Sequence, residues 1–192
     1  MSMNTVPERL AALRAAMAAN GVAVYLIPVG DPHASEYLPC HYTSLTWFSG
    51  FHGENSNFVV TRTESALWAD GRYFVQAEKE IAGTEIKLQR IGEPGVPTVE
   101  EYCANALNEG EALGLCGLTA STALVNDLKK ALEKKGASIK TLNLEDELWT
   151  EGRPSVDPAE GICGLLPGGK AGSAAQQAQG AGLHRSVCGQ AG

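Results

Sequence analysis

Asp70 and Arg72, within the stretch Trp68-Ala-Asp-Gly-Arg-Tyr-Phe74, place a carboxylate and a guanidinium two residues apart between runs of large apolar residues. Such a pair could act in catalysis, grip a ligand carboxylate through the planar fork of the arginine, or simply turn the chain. Asp70 has the side chain of a helix N-cap and Gly71 eases a strand-to-helix turn, so both fit structural roles. An arginine in the first turn of a helix is disfavoured by the helix dipole, which leaves Arg72 as the residue that local structure does not account for.

A second group, Asp31-Pro-His33-Ala-Ser-Glu36, follows an apolar run, where open α/β sheets commonly place ligand groups. Its Asp, His and Glu could imitate a metal site. Three donors packed into six residues make a poor coordination shell, however, and Asp31-Pro32 is also an ordinary turn in which Asp31 or Ser35 could cap a short helix. His41 and His52 stand alone, and no Ser-His-Asp or Cys-His-Asn order presents itself as catalytic. Gly164 to Lys170 matches a phosphate-binding loop except at its last position, where Ala171 lacks the hydroxyl that would hold magnesium; nucleotide binding is not expected.

The elements that must position these residues can be read from pattern. Thr5-Val-Pro-Glu8 opens a helix with a capping box, Leu10, Leu13 and Met17 recur at helical spacing, and Asn20-Gly21 stops it. Residues 22–29, VAVYLIPV, form an apolar run too short for a helix and predict a central strand covered on both faces. NFVVTRT (57–63) and SALWAD (65–70) predict a hairpin, followed by a helix with Tyr73, Phe74, Ala77 and Ile81 inward and Gly83 at its end. EIKLQRI (85–91) is a half-exposed strand, Thr98 to Leu107 a second capped helix, ALGLCGL (112–118) a buried strand, Ser121 to Lys135 a helix, and SIKTLN a last short strand. Between them, Trp47, Phe48 and Phe51 lead into a small-residue loop. That loop is either a tight connection, with Gly50 and Gly53 in conformations closed to other residues, or a surface whose aromatic anchors meet another protein segment. The alternation predicts a mixed β-sheet flanked by helices on both faces, in an α/β domain over residues 1–156.

The chain has 192 residues, 44% of them apolar, and a formal charge of −7. Every acidic residue precedes position 161, and the only basic clusters, Lys129/Lys130 and Lys134/Lys135, sit on a solvated helix face, so no nucleic-acid partner is expected. No apolar run is long enough for a membrane span and the N-terminus has no secretory pattern, so a cytoplasmic protein with no membrane partner is expected. Five widely spaced cysteines without a Cys-x-x-Cys pair predict free thiols. Residues 157–192 predict a linker and a flexible tail: nine glycines and six alanines after position 160 leave too little apolar material to offset ordering entropy.

The order YLIP-x-x-DPHASEY, then Trp47-Phe-Ser-Gly-Phe51, then ALWADGRYFVQAEKEI, then Trp149-Thr-Glu-Gly-Arg-Pro154, resembles the N-terminal domain of Xaa-Pro aminopeptidases, the aminopeptidase P branch of the creatinase/prolidase family. The resemblance covers residues 1–156 and is most specific at DGRYF-x-x-Q-A. It implies a creatinase N-terminal-domain-like, ribonuclease H-like fold that supports dimerisation and walls the substrate entrance of a separate catalytic domain. There two divalent metals, commonly manganese, activate water against an N-terminal Xaa-Pro bond. The resemblance therefore implies no catalytic residue and no metal ligand in this chain, with the catalytic domain and a second copy of the parent as partners. Arg72, His33 and Tyr73 are the residues expected at the entrance, and Trp47, Phe48 and Phe51 those expected at an interface. The loop HGENSN after Phe51 and HYTSLT before Trp47 depart from the family's usual small Ser/Ala-rich and basic segments. Because the pattern ends near residue 160, the tail is expected to be a shifted reading frame or cloning remnant. A second expectation is a self-standing module that binds a small anionic ligand or peptide near Arg72 and His33.

Overall fold

The computed structural model describes residue 3 and residues 5–156. The expected flexible tail, its phosphate-loop-like segment, Cys163 and Cys188 lie outside the described residues.

Helix α1 (Val6–Ala19) starts where the sequence places it. The Thr5 hydroxyl accepts the Glu8 N–H at 3.4 Å and the Glu8 carboxylate accepts the Thr5 N–H at 2.9 Å, which satisfies two otherwise orphaned amides. Strand β1 (Val24–Pro28) follows and is buried along its whole length. A short 3₁₀ turn (Cys40–Tyr42) and helix α2 (Ser44–Ser49) were not foreseen, because neither carries a side-chain cap and both are too short to show a period. Then come β2 (Asn57–Thr61), β3 (Ser65–Ala69), α3 (Phe74–Glu80), β4 (Ile86–Arg90), α4 (Val99–Asn105), β5 (Ala112–Leu115), α5 (Thr122–Glu133), β6 (Ser138–Thr141) and α6 (Leu144–Leu148).

The strands form one six-stranded sheet in the order β4-β3-β2-β1-β5-β6. β2 pairs antiparallel with β1 and β3, while β1 with β5, β3 with β4, and β5 with β6 pair parallel. β1 is therefore central, with Tyr25 opposite Val60 on one side and Gly114 on the other. Successive side chains of a strand point to opposite faces, so the buried strands feed two cores. Tyr25, Ile27, Phe58, Val60, Leu67 and Ala69 pack with α1, α2, α3 and α6. Val24, Leu26, Val59, Ala66, Trp68, Leu113 and Leu115 pack with α4 and α5. The mixed sheet with helices on both faces is as the sequence predicts. α4 also carries its expected capping box, Thr98 with Glu101, and α5 its Ser121 cap on the Leu124 N–H.

Candidate functional site

In the parallel strands β1, β3 and β5 the C-terminal ends lie at one edge of the sheet, beside the loop that feeds the antiparallel β2. From β1 the chain goes on to α2 on one face, whereas from β5 it goes on to α5 on the other, and between two such departures a sheet opens a crevice. A groove of about 1020 Å³ lies there, lined among others by Asp31, Glu36, Tyr37, Glu54, Asn55 and Ser121. Among the described residues three carboxylates and no Lys or Arg line it, which gives this lining a negative field.

Asp31, 6% exposed, organises the floor. Its Oδ1 accepts the backbone N–H of His33 at 3.0 Å and that of Ser35 at 2.9 Å, while Oδ2 is buried without a hydrogen-bond partner. Burial pushes this carboxyl up, but the Ser35 and His33 bonds outweigh it and hold the group below its ordinary value. Asp31 thus secures a turn and caps no helix, since no helix follows it before the 3₁₀ turn at Cys40. His33 itself is exposed and is not among the groove-lining residues, although its neighbours Pro32 and Ala34 are. Among the described residues no group of three or more His, Cys, Asp or Glu is placed to hold a metal ion.

Next to Asp31, a Cβ built on Gly30 would stand 2.5 Å from the Thr119 carbonyl oxygen. Because the obstacle is backbone, it cannot rotate away. Gly30→Ala is expected to destabilise the domain by about 1–3 kcal/mol in urea unfolding, whereas Gly92→Ala, with open space but a positive φ, should fall at or below the low end of that range.

Asp70 and Arg72 lie along the same edge. The Asp70 carboxylate accepts the Arg72 backbone N–H at 2.9 Å and, on Oδ2, its guanidinium at 2.7 Å, and Asn55, from the groove wall, donates its amide N–H to the same Oδ2 at 3.4 Å. The Arg72 bond is the main cause that holds the Asp70 carboxyl down at about 2. Asp70 is not the cap of α3 that the sequence suggests. A turn intervenes, closed by Tyr73 N–H to the Asp70 carbonyl at 2.9 Å, and the helix begins at Phe74 without a side-chain cap. The Arg72 side chain is 67% exposed, with its guanidinium carbon 5.4 Å from the centre of the Tyr73 ring. Tyr73 is half-buried against Phe51. Arg72 is thus both ion-paired and open to solvent, fixed from below by Asp70 and from the side by Tyr73.

Phe48 and Phe51, expected at an interface, are fully buried in the core on the α1 side. Of the three anchors only Trp47 reaches the surface, and one face of it is taken. It stacks on Trp149 at 5.5 Å, with Arg9 4.6 Å from the centre of its ring. Gly50 takes the left-handed conformation expected of it, φ 78°, as the end of α2. Gly53 is required for space instead, because a Cβ there would strike the Phe51 ring.

The sequence reading did not find the fastening of residues 149–156. Arg153 pairs with Asp146 and donates to the His41 carbonyl at 3.1 Å, and His41 Nδ1 lies 2.9 Å from the Pro154 carbonyl. These partners are more than a hundred positions apart in part, and no local spacing announces them.

Comparison with known proteins places this architecture. Residues 9–148 match the model of the creatinase/prolidase N-terminal domain. Aminopeptidase P2 of Arabidopsis thaliana is 39% identical over 154 residues, covering 78% of this chain and 22% of that protein. A probable Xaa-Pro aminopeptidase P of Sordaria macrospora is 38% identical over 157 residues, 80% of this chain and 25% of that one. Among solved structures, the X-prolyl aminopeptidase of Caenorhabditis elegans, described as a cytosolic enzyme with a di-nuclear active site, is 33% identical at a TM-score of 0.72, covering 80% of this chain and 27% of that chain. The N-terminal domain of the peptidase PepQ from Mycobacterium tuberculosis is 25% identical at a TM-score of 0.53, and 97% of it is covered. The chain spans about a quarter of the length of the curated relatives. The match over most of its length, together with these relatives, shows that the chain belongs to the creatinase/prolidase N-terminal domain family, in its aminopeptidase P branch.

Proposed function

We propose that this domain is the non-catalytic N-terminal part of a metal-dependent Xaa-Pro aminopeptidase, acting in the cytoplasm, where it walls the substrate entrance and supports association of two copies of the parent. The reading is carried by Arg72, a guanidinium anchored by Asp70 yet 67% exposed at the groove edge, as a residue that meets a substrate or a facing domain must be. Tyr73 lies beside it, and His33 is exposed on the loop whose Pro32 and Ala34 line the groove. The metals, manganese in this proposal, belong with the catalytic domain, and no step of the peptidase reaction is assigned to residues of this chain. A groove whose described lining is acidic does not favour the alternative of a self-standing module for small anions.

Supplied alone with a Xaa-Pro peptide and manganese, the chain is expected to release no amino acid. A chimera in which residues 5–156 replace the matching segment of the Arabidopsis relative is expected to cleave the peptide. Turnover by the chain alone, or an inactive but folded chimera, would overturn the proposal.

A further inference from the structure

Glu145, in the first turn of α6, is 2% exposed and has no part in the site above. Its Oε2 meets the phenol of Tyr25, itself fully buried on the central strand. The same phenol oxygen lies 3.0 Å from the Leu142 carbonyl and accepts the Leu144 N–H at 3.2 Å. A phenol has one proton to give. If Glu145 is ionised, that proton serves either the carboxylate or the Leu142 carbonyl and leaves the other unserved. If Glu145 is protonated, its O–H donates to Tyr25 and Tyr25 donates to Leu142, so each contact carries a proton. The remaining oxygen, Oε1, is buried without a hydrogen-bond partner, a position that costs a carboxylate far more than a neutral acid.

The charged and titratable groups around it are Tyr25 from β1, Cys116 just after β5, His41 from the 3₁₀ turn, Asp146 from α6 and Arg153 from the segment beyond, while α1, also packed on α6, faces it with the apolar Leu10, Leu13 and Met17. The charged and titratable groups, Tyr25 excepted, line with Glu145 a cavity of about 190 Å³. Arg153 would favour the carboxylate, but it is already engaged by Asp146 and the His41 carbonyl. Burial dominates and pushes Glu145 up to about 7, against the opposing pull of the Tyr25 bond. Burial and the nearby carboxylate in turn push the Tyr25 phenol well above its ordinary value.

We propose that Glu145 is a proton-controlled latch: as the neutral acid it completes the Tyr25, Leu142 and Leu144 network that holds α6 and residues 149–156 on the sheet, and its ionisation loosens that end of the domain. The carboxyl is raised in the folded state. Its contribution is therefore complete below the value of an unfolded glutamate, about 4.3, and is lost as pH rises through about 7. This makes the fastening of Trp149 and Arg153 sensitive to pH just below neutrality.

The test follows the Glu145 side-chain carboxyl by carbon-13 NMR in the full chain, together with hydrogen exchange at the Leu144 and Trp149 amides corrected for intrinsic base catalysis. A carboxyl midpoint near 7 is expected, and protection falling by up to about ten-fold per pH unit between pH 5 and 7, then level above pH 8. Glu145→Gln, an uncharged mimic of the acid, should remove the pH slope, and Tyr25→Phe, which takes away the group that shares the proton with Glu145, should shift the midpoint. A midpoint in the ordinary carboxylate range overturns the proposal without any variant. So does an unmoved midpoint in Tyr25→Phe, or the same exchange slope in Glu145→Gln.

Discussion

Phe48→Ala is expected to lower the stability of the domain by about 3–5 kcal/mol, the range for deleting a fully buried phenylalanine. The ring sits edge-on to Trp47 at 4.7 Å and in the same cluster as Leu10, Leu13 and Met17 of α1, Leu45 of α2 and Phe58 of β2. α2 has only six residues, too few to hold itself together, so its stability comes from the aromatic it buries. Truncation should therefore leave a cavity and also release the 40–53 connection that forms one wall of the groove. Urea unfolding of the variant and the wild type checks the magnitude. Equilibrium sedimentation separates the two roles that the sequence leaves open for this residue: a core residue changes the unfolding midpoint and leaves association unchanged, whereas an interface anchor does the reverse. A loss below about 1 kcal/mol would mean that Phe48 does not hold α2 in place.

Phe48 also shows where sequence pattern stops informing. The strands and long helices are legible because their signals are local. Two capping boxes name the starts of α1 and α4, and the uninterrupted run 22–29 can only be a strand covered on both sides. α2, α6 and the 149–156 fastening depend on partners far along the chain, such as Trp47 with Trp149 or Tyr25 with Glu145, and composition says nothing about which aromatic faces which. The misplacement of Asp70 as a helix cap has the same origin. An Asp before Gly is equally suited to capping a helix and to closing a turn, and only the following three residues, held by Tyr73 N–H on the Asp70 carbonyl, decide for the turn. The site was half legible. Arg72 stood out because local physics left it unexplained, while the acidic groove beside it comes from loops 29–38, 53–57 and 117–122, which only the sheet brings together.

Arg72→Ala is expected to reduce kcat/KM of the chimera toward a Xaa-Pro peptide by about 10–100-fold, the range for losing a hydrogen bond to a charged group at a binding edge. The same change should leave the thermal midpoint of the isolated domain almost unmoved, because the guanidinium is two-thirds exposed and its ion pair with Asp70 is a surface pair. Those two readouts together separate a contact with substrate from a structural role. Arg72→Lys keeps the charge but loses the planar fork that binds Asp70 through two nitrogens at once, so it should recover only part of the loss. Asp70→Asn tests the anchoring itself. The arginine is then fully charged but free to swing, so an intermediate loss is expected, with KM rising more than kcat falls because the cost is paid in ordering the side chain when substrate arrives. Unchanged kinetics in Arg72→Ala would remove the arginine from the entrance and reduce the Asp70-Gly-Arg72 triplet to a turn.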